Sequence, residues 1–94
     1  MSKKNTPKAI IDARTKINKI DVGILDLLKK RIRLAQEIGQ HKNAHGLDVN
    51  DVSRERELLR MLIEANGGDI PDEKLLEIWG KIIELSKTVQ DQKH

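Results

Sequence analysis

Three cations stand on or beside the apolar stripe of one amphipathic stretch, where a helical chain should bury Leu and Ile. The heptad series Ile10, Ile17, Ile24, Arg31, Ile38 carries a guanidinium. The adjacent series Arg14, Asp21, Leu28, Ala35, Lys42 borders it with two more cations. Further along, Asp51, Arg54 and Glu55 open a second helical stretch, and the stripe Leu75, Trp79, Ile82 continues into Ser86 and Gln90. Burying charge is unfavourable unless something pairs with it. The surplus on these inward faces is cationic, so the expected partner is an anion that the chain does not supply.

Cations, an amide, a hydroxyl and a carboxylate form a set that grips a small polyanion and donates hydrogen bonds. No nucleophile–base pair is evident, because the Ser residues lack a helical His neighbour. His41, His45 and His94 show no metal-ligand spacing, and neither HExxH nor CxxC occurs. The chemistry that suits such a set is conformational capture with electrostatic stabilisation. Each residue also has a purely structural reading. A lone Arg or Lys on a charged helix is usually solvated, and Asp51 reads first as a helix cap. Ser86 and Gln90, at i and i+4, fit a helix surface as well as a pocket. Glu55 has Arg56 or Lys42 as candidate partners, or none.

The elements that must position these residues are helices. Apolar residues recur at helical period from about Pro7 to Asn43, a rod of ~55 Å, with Pro7 suited to the first turn. Gly23 interrupts the rod, either as a tolerated residue or as a close helix crossing. Residues 45–50 form a loop. Asn50 or Asp51 caps a second helix that places Leu58, Leu59, Leu62 and Ile63 inward and ends at Gly67-Gly68. Ile70-Pro71-Asp72-Glu73 opens a third helix, running to about Gln90 or Gln92. The spacing predicts an all-α fold with one very long and two shorter helices. Residues 1–94 read as one domain, with residues 1–6 expected to be flexible.

Two short helices cannot cover a seam that runs the full rod, so a second copy of the rod is expected. Arg31 and Lys42 lie three turns apart on nearly one face, ~16 Å along the helix. Arg14 lies ~25 Å before Arg31 and cannot join that site from the same helix. If two rods pack antiparallel about a two-fold axis near residue 25, Arg14 of one falls opposite about residue 36 of the other. That position lies between Arg31 and Lys42, and the symmetry produces two equivalent sites.

The 94 residues suffice for one domain, and a chain this short favours oligomerisation. Lys and Arg number 18 against 15 Asp and Glu, with the signs interspersed, which reads as solvated faces rather than a nucleic-acid stripe. One Trp and no Phe or Tyr leave no base-stacking platform. No apolar run approaches a membrane span, and the N-terminal residues do not read as a signal peptide. With no Cys there is no disulfide or thiolate chemistry, and a cytoplasmic location is expected.

The ordered set of motifs resembles the all-helical class of chorismate mutases, in particular its short bacterial monofunctional members. The resemblance spans about residues 8–92. It rests on Ala13-Arg14-Thr15-Lys16-Ile17 with Ile20-Asp21, Leu27-Leu28-Lys29-Lys30-Arg31, Ile38-Gly39-Gln40-His41-Lys42, residues 51–59 and residues 82–90. It implies an intertwined antiparallel homodimer and a Claisen rearrangement of chorismate to prephenate in phenylalanine and tyrosine biosynthesis, with no cofactor or metal. By matching position, Arg14 from the partner chain and Arg31 would hold the two substrate carboxylates. Lys42 and Gln90 would donate to the ether oxygen. Glu55 and the backbone near Asp51 would take the ring hydroxyl, Ser86 would support a carboxylate, and Arg54 would complete the positive wall. With no appended allosteric domain, feedback inhibition is not expected.

Two other readings are isochorismate-pyruvate lyase, on the same fold, and a non-catalytic helical regulatory partner of a shikimate-pathway enzyme. Glu55 and Ser86 favour the mutase over the lyase by resemblance. Retention of the whole polar set argues against the non-catalytic reading, since a plain coiled coil would carry Leu or Ile at Arg31.

Overall fold

A computed structural model of the chain describes residues 6–91. It contains three α-helices, α1 (Lys8–Ala44), α2 (Val52–Asn66) and α3 (Asp72–Gln90), and no strand among the described residues. The expected flexible stretch 1–6 falls, up to residue 5, outside the described residues, as does Gln92. No described helix is long and apolar enough to cross a membrane.

Each helix starts and stops where local chemistry dictates. Pro7 precedes α1, and its carbonyl accepts from the Ile10 and Ile11 amides at 3.0 and 3.3 Å. At the far end the Leu47 amide donates to the Lys42 carbonyl at 2.7 Å, and Gly46 takes a positive φ of 67° that suits glycine. Asp51 caps α2, its carboxylate accepting from the Arg54 amide at 3.0 Å. Gly67 closes α2 in the left-handed region, its amide donating to the Glu64 carbonyl. The Asn66 side chain then brackets Ile70, donating to its carbonyl at 2.7 Å and accepting from its amide at 3.0 Å. That clasp sets the turn into α3, whose first turn carries Asp72 and Glu73 as the helix dipole favours.

The described residues divide into two units between Arg31 and Ile32. In the first, residues 7–27 are all exposed. The apolar series expected inward stands open in the single chain: Ile17 is 53%, Ile24 56% and Leu27 66% exposed. In the second unit α2 packs on α3. Its buried apolar residues are Ala35, Leu75 and Val89. Leu58, Leu59 and Leu62 are half-buried, whereas Ile63, also expected inward, stands on the exposed side. On α3 the stripe follows its heptad expectation, with Leu75 and Ser86 buried and Trp79, Ile82 and Gln90 half-buried.

Candidate functional site

Helix ends converge around one polar cluster in the second unit. Lys42 lies in the last turn of α1, Glu55 in the first turn of α2, and Lys87 in the last turn of α3. Each charge suits the dipole of the helix end that carries it. Antiparallel pairing of α2 with α3 returns the end of α3 to the start of α2, which no local signal specifies.

The half-buried Lys42 ammonium donates to the Val49 carbonyl at 3.2 Å and to Gln90 Oε1 at 3.2 Å, a contact 48 residues apart in sequence. Together these bonds tie the loop after α1 and the end of α3 to one cation. An ammonium has three N–H donors, so one is left for a ligand. Because Gln90 Oε1 accepts from Lys42, the amide nitrogen becomes the donor that Gln90 offers. The two side chains thus present donors side by side.

Backbone proximity at this point depends on Gly39. It is buried, and a Cβ built there would lie 2.6 Å from the Gln90 carbonyl oxygen and 2.7 Å from its Cα. Gly23, by contrast, meets nothing among the described residues of its own chain within 4 Å of such a Cβ beyond its own stretch of helix.

Glu55 pairs with Lys87 at 3.0 Å, rather than with Arg56 or Lys42. The pair is partly screened from water, the Glu55 side chain being 25% exposed. Ser86 is buried, and its hydroxyl donates to the Ile82 carbonyl at 3.0 Å. Asp51 serves as the cap of α2. Arg54 lies 3.8 Å from Glu57 with both side chains more than half exposed, a solvated pair of little energetic weight. In the first unit Arg14 is exposed and Arg31 half-buried.

The structure therefore joins Lys42 to Gln90 and sets Asp51 at the head of the helix that carries Glu55. Sequence reasoning missed Lys87, Gly39 and the Val49 carbonyl. Lys87 follows Ser86 and precedes Gln90 by three residues, so its place beside the polar stripe of α3 was available from helical spacing. A hollow of about 650 Å³ lined by Leu76, Glu77, Ile78, Gly80, Lys81 and Glu84 shares no residue with this cluster.

Residues 13–91 match the family model described as chorismate mutase type II. The chain is 31% identical over 84 residues to a chorismate mutase of Methanocaldococcus jannaschii, covering 88% of this chain and 85% of that protein. It is 37% identical over 76 residues to a bifunctional chorismate mutase/prephenate dehydratase of Aquifex aeolicus, covering 77% of this chain and 21% of that protein. The T-protein of Enterobacter agglomerans is 31% identical over 83 residues, and there too the match spans only 22% of the relative. A solved structure, a conserved hypothetical protein from Pyrococcus furiosus, matches with a TM-score of 0.75 and 39% identity, covering 90% of this chain and 99% of that one.

Proposed function

Since the chain belongs to the type II chorismate mutase family, we propose that it is an isomerase converting chorismate to prephenate in aromatic amino acid biosynthesis. The observation that carries this reading is the Lys42–Gln90 hydrogen bond, which aligns two donors at the converging helix ends. The reaction needs little else from a protein. The ether C–O bond of the substrate breaks while a C–C bond forms within the same molecule, so no group is transferred to or from the enzyme. Negative charge gathers on the ether oxygen as that bond breaks. The remaining N–H of Lys42 and the Gln90 amide donate to it, which is the preorganised stabilisation such a step requires.

Binding must also hold the compact conformer of a dicarboxylate. Here Arg31 and Arg14 of the partner subunit take the two carboxylates. Arg54 supports that anionic side, as does Ser86 once its hydroxyl turns from the Ile82 carbonyl toward the ligand. Glu55 and the backbone near Asp51 take the ring hydroxyl. Fixing both ends of the substrate lowers the entropic barrier to the reactive geometry.

A second copy of the chain completes the site in this reading. Its support is the uncovered apolar series of the first unit, in which Ile10, Ile17, Ile20, Ile24 and Leu27 are each more than 40% exposed. A continuous apolar face of this kind is uncommon on a monomer and marks an interface. Antiparallel packing of two such rods brings Arg14 to the partner's site.

The deciding experiment gives purified protein chorismate and, separately, isochorismate, and identifies the products. Prephenate from chorismate is expected. Pyruvate release from isochorismate at a higher kcat/KM than prephenate formation would assign the lyase instead, and no turnover of either would leave a non-catalytic helical protein.

A further inference from the structure

We propose that Lys87 is a positioning residue that makes the carboxylate of Glu55 compatible with a dianionic substrate. The proposal rests on the chorismate mutase reading and deepens it.

Glu55 poses an electrostatic problem. A site that binds a dicarboxylate gains from every cation and loses from every anion, yet this one holds a carboxylate on the first turn of α2. Like charges repel, and burial strengthens the repulsion by lowering the local dielectric. Glu55 is only 25% exposed, so solvent does not fully screen it. The ends of α1 and α3 add to the difficulty, because helix C-termini carry partial negative charge.

Lys87 answers both problems from one position. Its ammonium lies 3.0 Å from Glu55 Oε1, close enough to neutralise the carboxylate. It stands in the last turn of α3, where it also offsets the dipole of that helix. Bonding at Oε1 leaves Oε2 with its lone pairs to accept a hydroxyl proton from the ligand. The ion pair also restricts the Glu55 rotamer, so the acceptor is aimed before the ligand arrives. Lys87 is 37% exposed and lies three residues before Gln90 on the same helix, so its charge sits beside the proposed site without filling it.

This assignment predicts a pattern that a merely structural ion pair does not. Lys87→Met removes the charge, keeps most of the aliphatic length and exposes the substrate to a bare carboxylate. KM for chorismate should rise on the order of tenfold. The value of kcat should change by less than about twofold, since the repulsion acts on the bound substrate and the transition state alike. Lys87→Arg should keep KM far closer to wild type than Lys87→Met does, because it retains a positive charge beside Glu55. The decisive variant adds Glu55→Gln to Lys87→Met. Removing the uncompensated charge should bring KM below that of Lys87→Met alone, although two polar groups are then altered.

These three variants and the wild type are assayed as the full chain, with far-UV circular dichroism checking the fold. If Lys87→Met does not fold, Lys87→Gln takes its place in the same comparison. An unchanged KM in the single variant overturns the proposal. So does a double variant whose KM is no lower than that of Lys87→Met, since Lys87 would then not act through the charge of Glu55. A wild type that makes no prephenate overturns the underlying reading, a failure seen before any variant is measured.

Discussion

Gly39 touches the backbone of Gln90: a methyl group at position 39 would lie 2.6 Å from the Gln90 carbonyl oxygen. The obstacle is main chain, so it cannot rotate away as a side-chain tip would. The absence of a side chain at one residue of α1 thus lets the end of α3 come close enough for Lys42 to reach Gln90 Oε1.

Gly39→Ala should therefore cut turnover more than stability. Overpacking a close contact costs about 1–3 kcal/mol, which denaturant unfolding will measure. The shift of α3 needed to admit the methyl should also lengthen the Lys42–Gln90 bond, lowering kcat by at least tenfold in a protein that remains helical. A variant with wild-type kcat would show that the Gln90 backbone has no part in placing the donors.

Lys42→Ala and Gln90→Ala should each cripple kcat while leaving the helices formed. In the proposed mechanism both donors act chiefly on charge that develops as the ether bond breaks, so their loss should appear in kcat more than in KM. Removing one such donor typically costs about 2.7–4 kcal/mol of transition-state stabilisation. Steady-state kinetics on folded variants check this, and near-normal turnover in Lys42→Ala would remove the mechanism.

Asp51→Ala should act mainly on stability. The carboxylate caps α2 through the Arg54 amide at 3.0 Å, and loss of such a cap costs about 1 kcal/mol. Asp51→Asn, which keeps an acceptor oxygen, should recover most of that in urea unfolding. Equal loss in both variants would point to the charge rather than the cap.

Arg14→Ala and Arg31→Ala homodimers should each be nearly inactive, yet unfolding them together in equal amounts and refolding should restore activity. Random pairing makes about half the dimers mixed, and one of the two sites in a mixed dimer has both arginines. Recovery to about a quarter of wild type is expected. If Arg14 served its own subunit, every site would lack one arginine and mixing would restore nothing.

The three helices were legible in the residues themselves. Pro7, Asp51, Gly67 and Pro71 act within a turn of where they stand, so their signals do not depend on the rest of the fold. The stripe from Leu75 through Ser86 to Gln90 was legible for the same reason, since period alone puts those residues on one face. Period alone also drew Ile63 inward, and in the single chain it is 37% exposed. The contacts at the heart of the site had no such local signal. Glu55 could have met Arg56 or Lys42 by its position on the helix, and it meets Lys87 because α2 and α3 pair antiparallel. Gly23 and Gly39 are both glycines inside one helix, and among the described residues of the single chain it is Gly39 that has the backbone of another helix against it. Helical periodicity determines which residues share a face, but where one helix meets another depends on the packing of all three. The residues able to do chemistry were therefore set by the sequence, while the pairings among them were decided by tertiary structure.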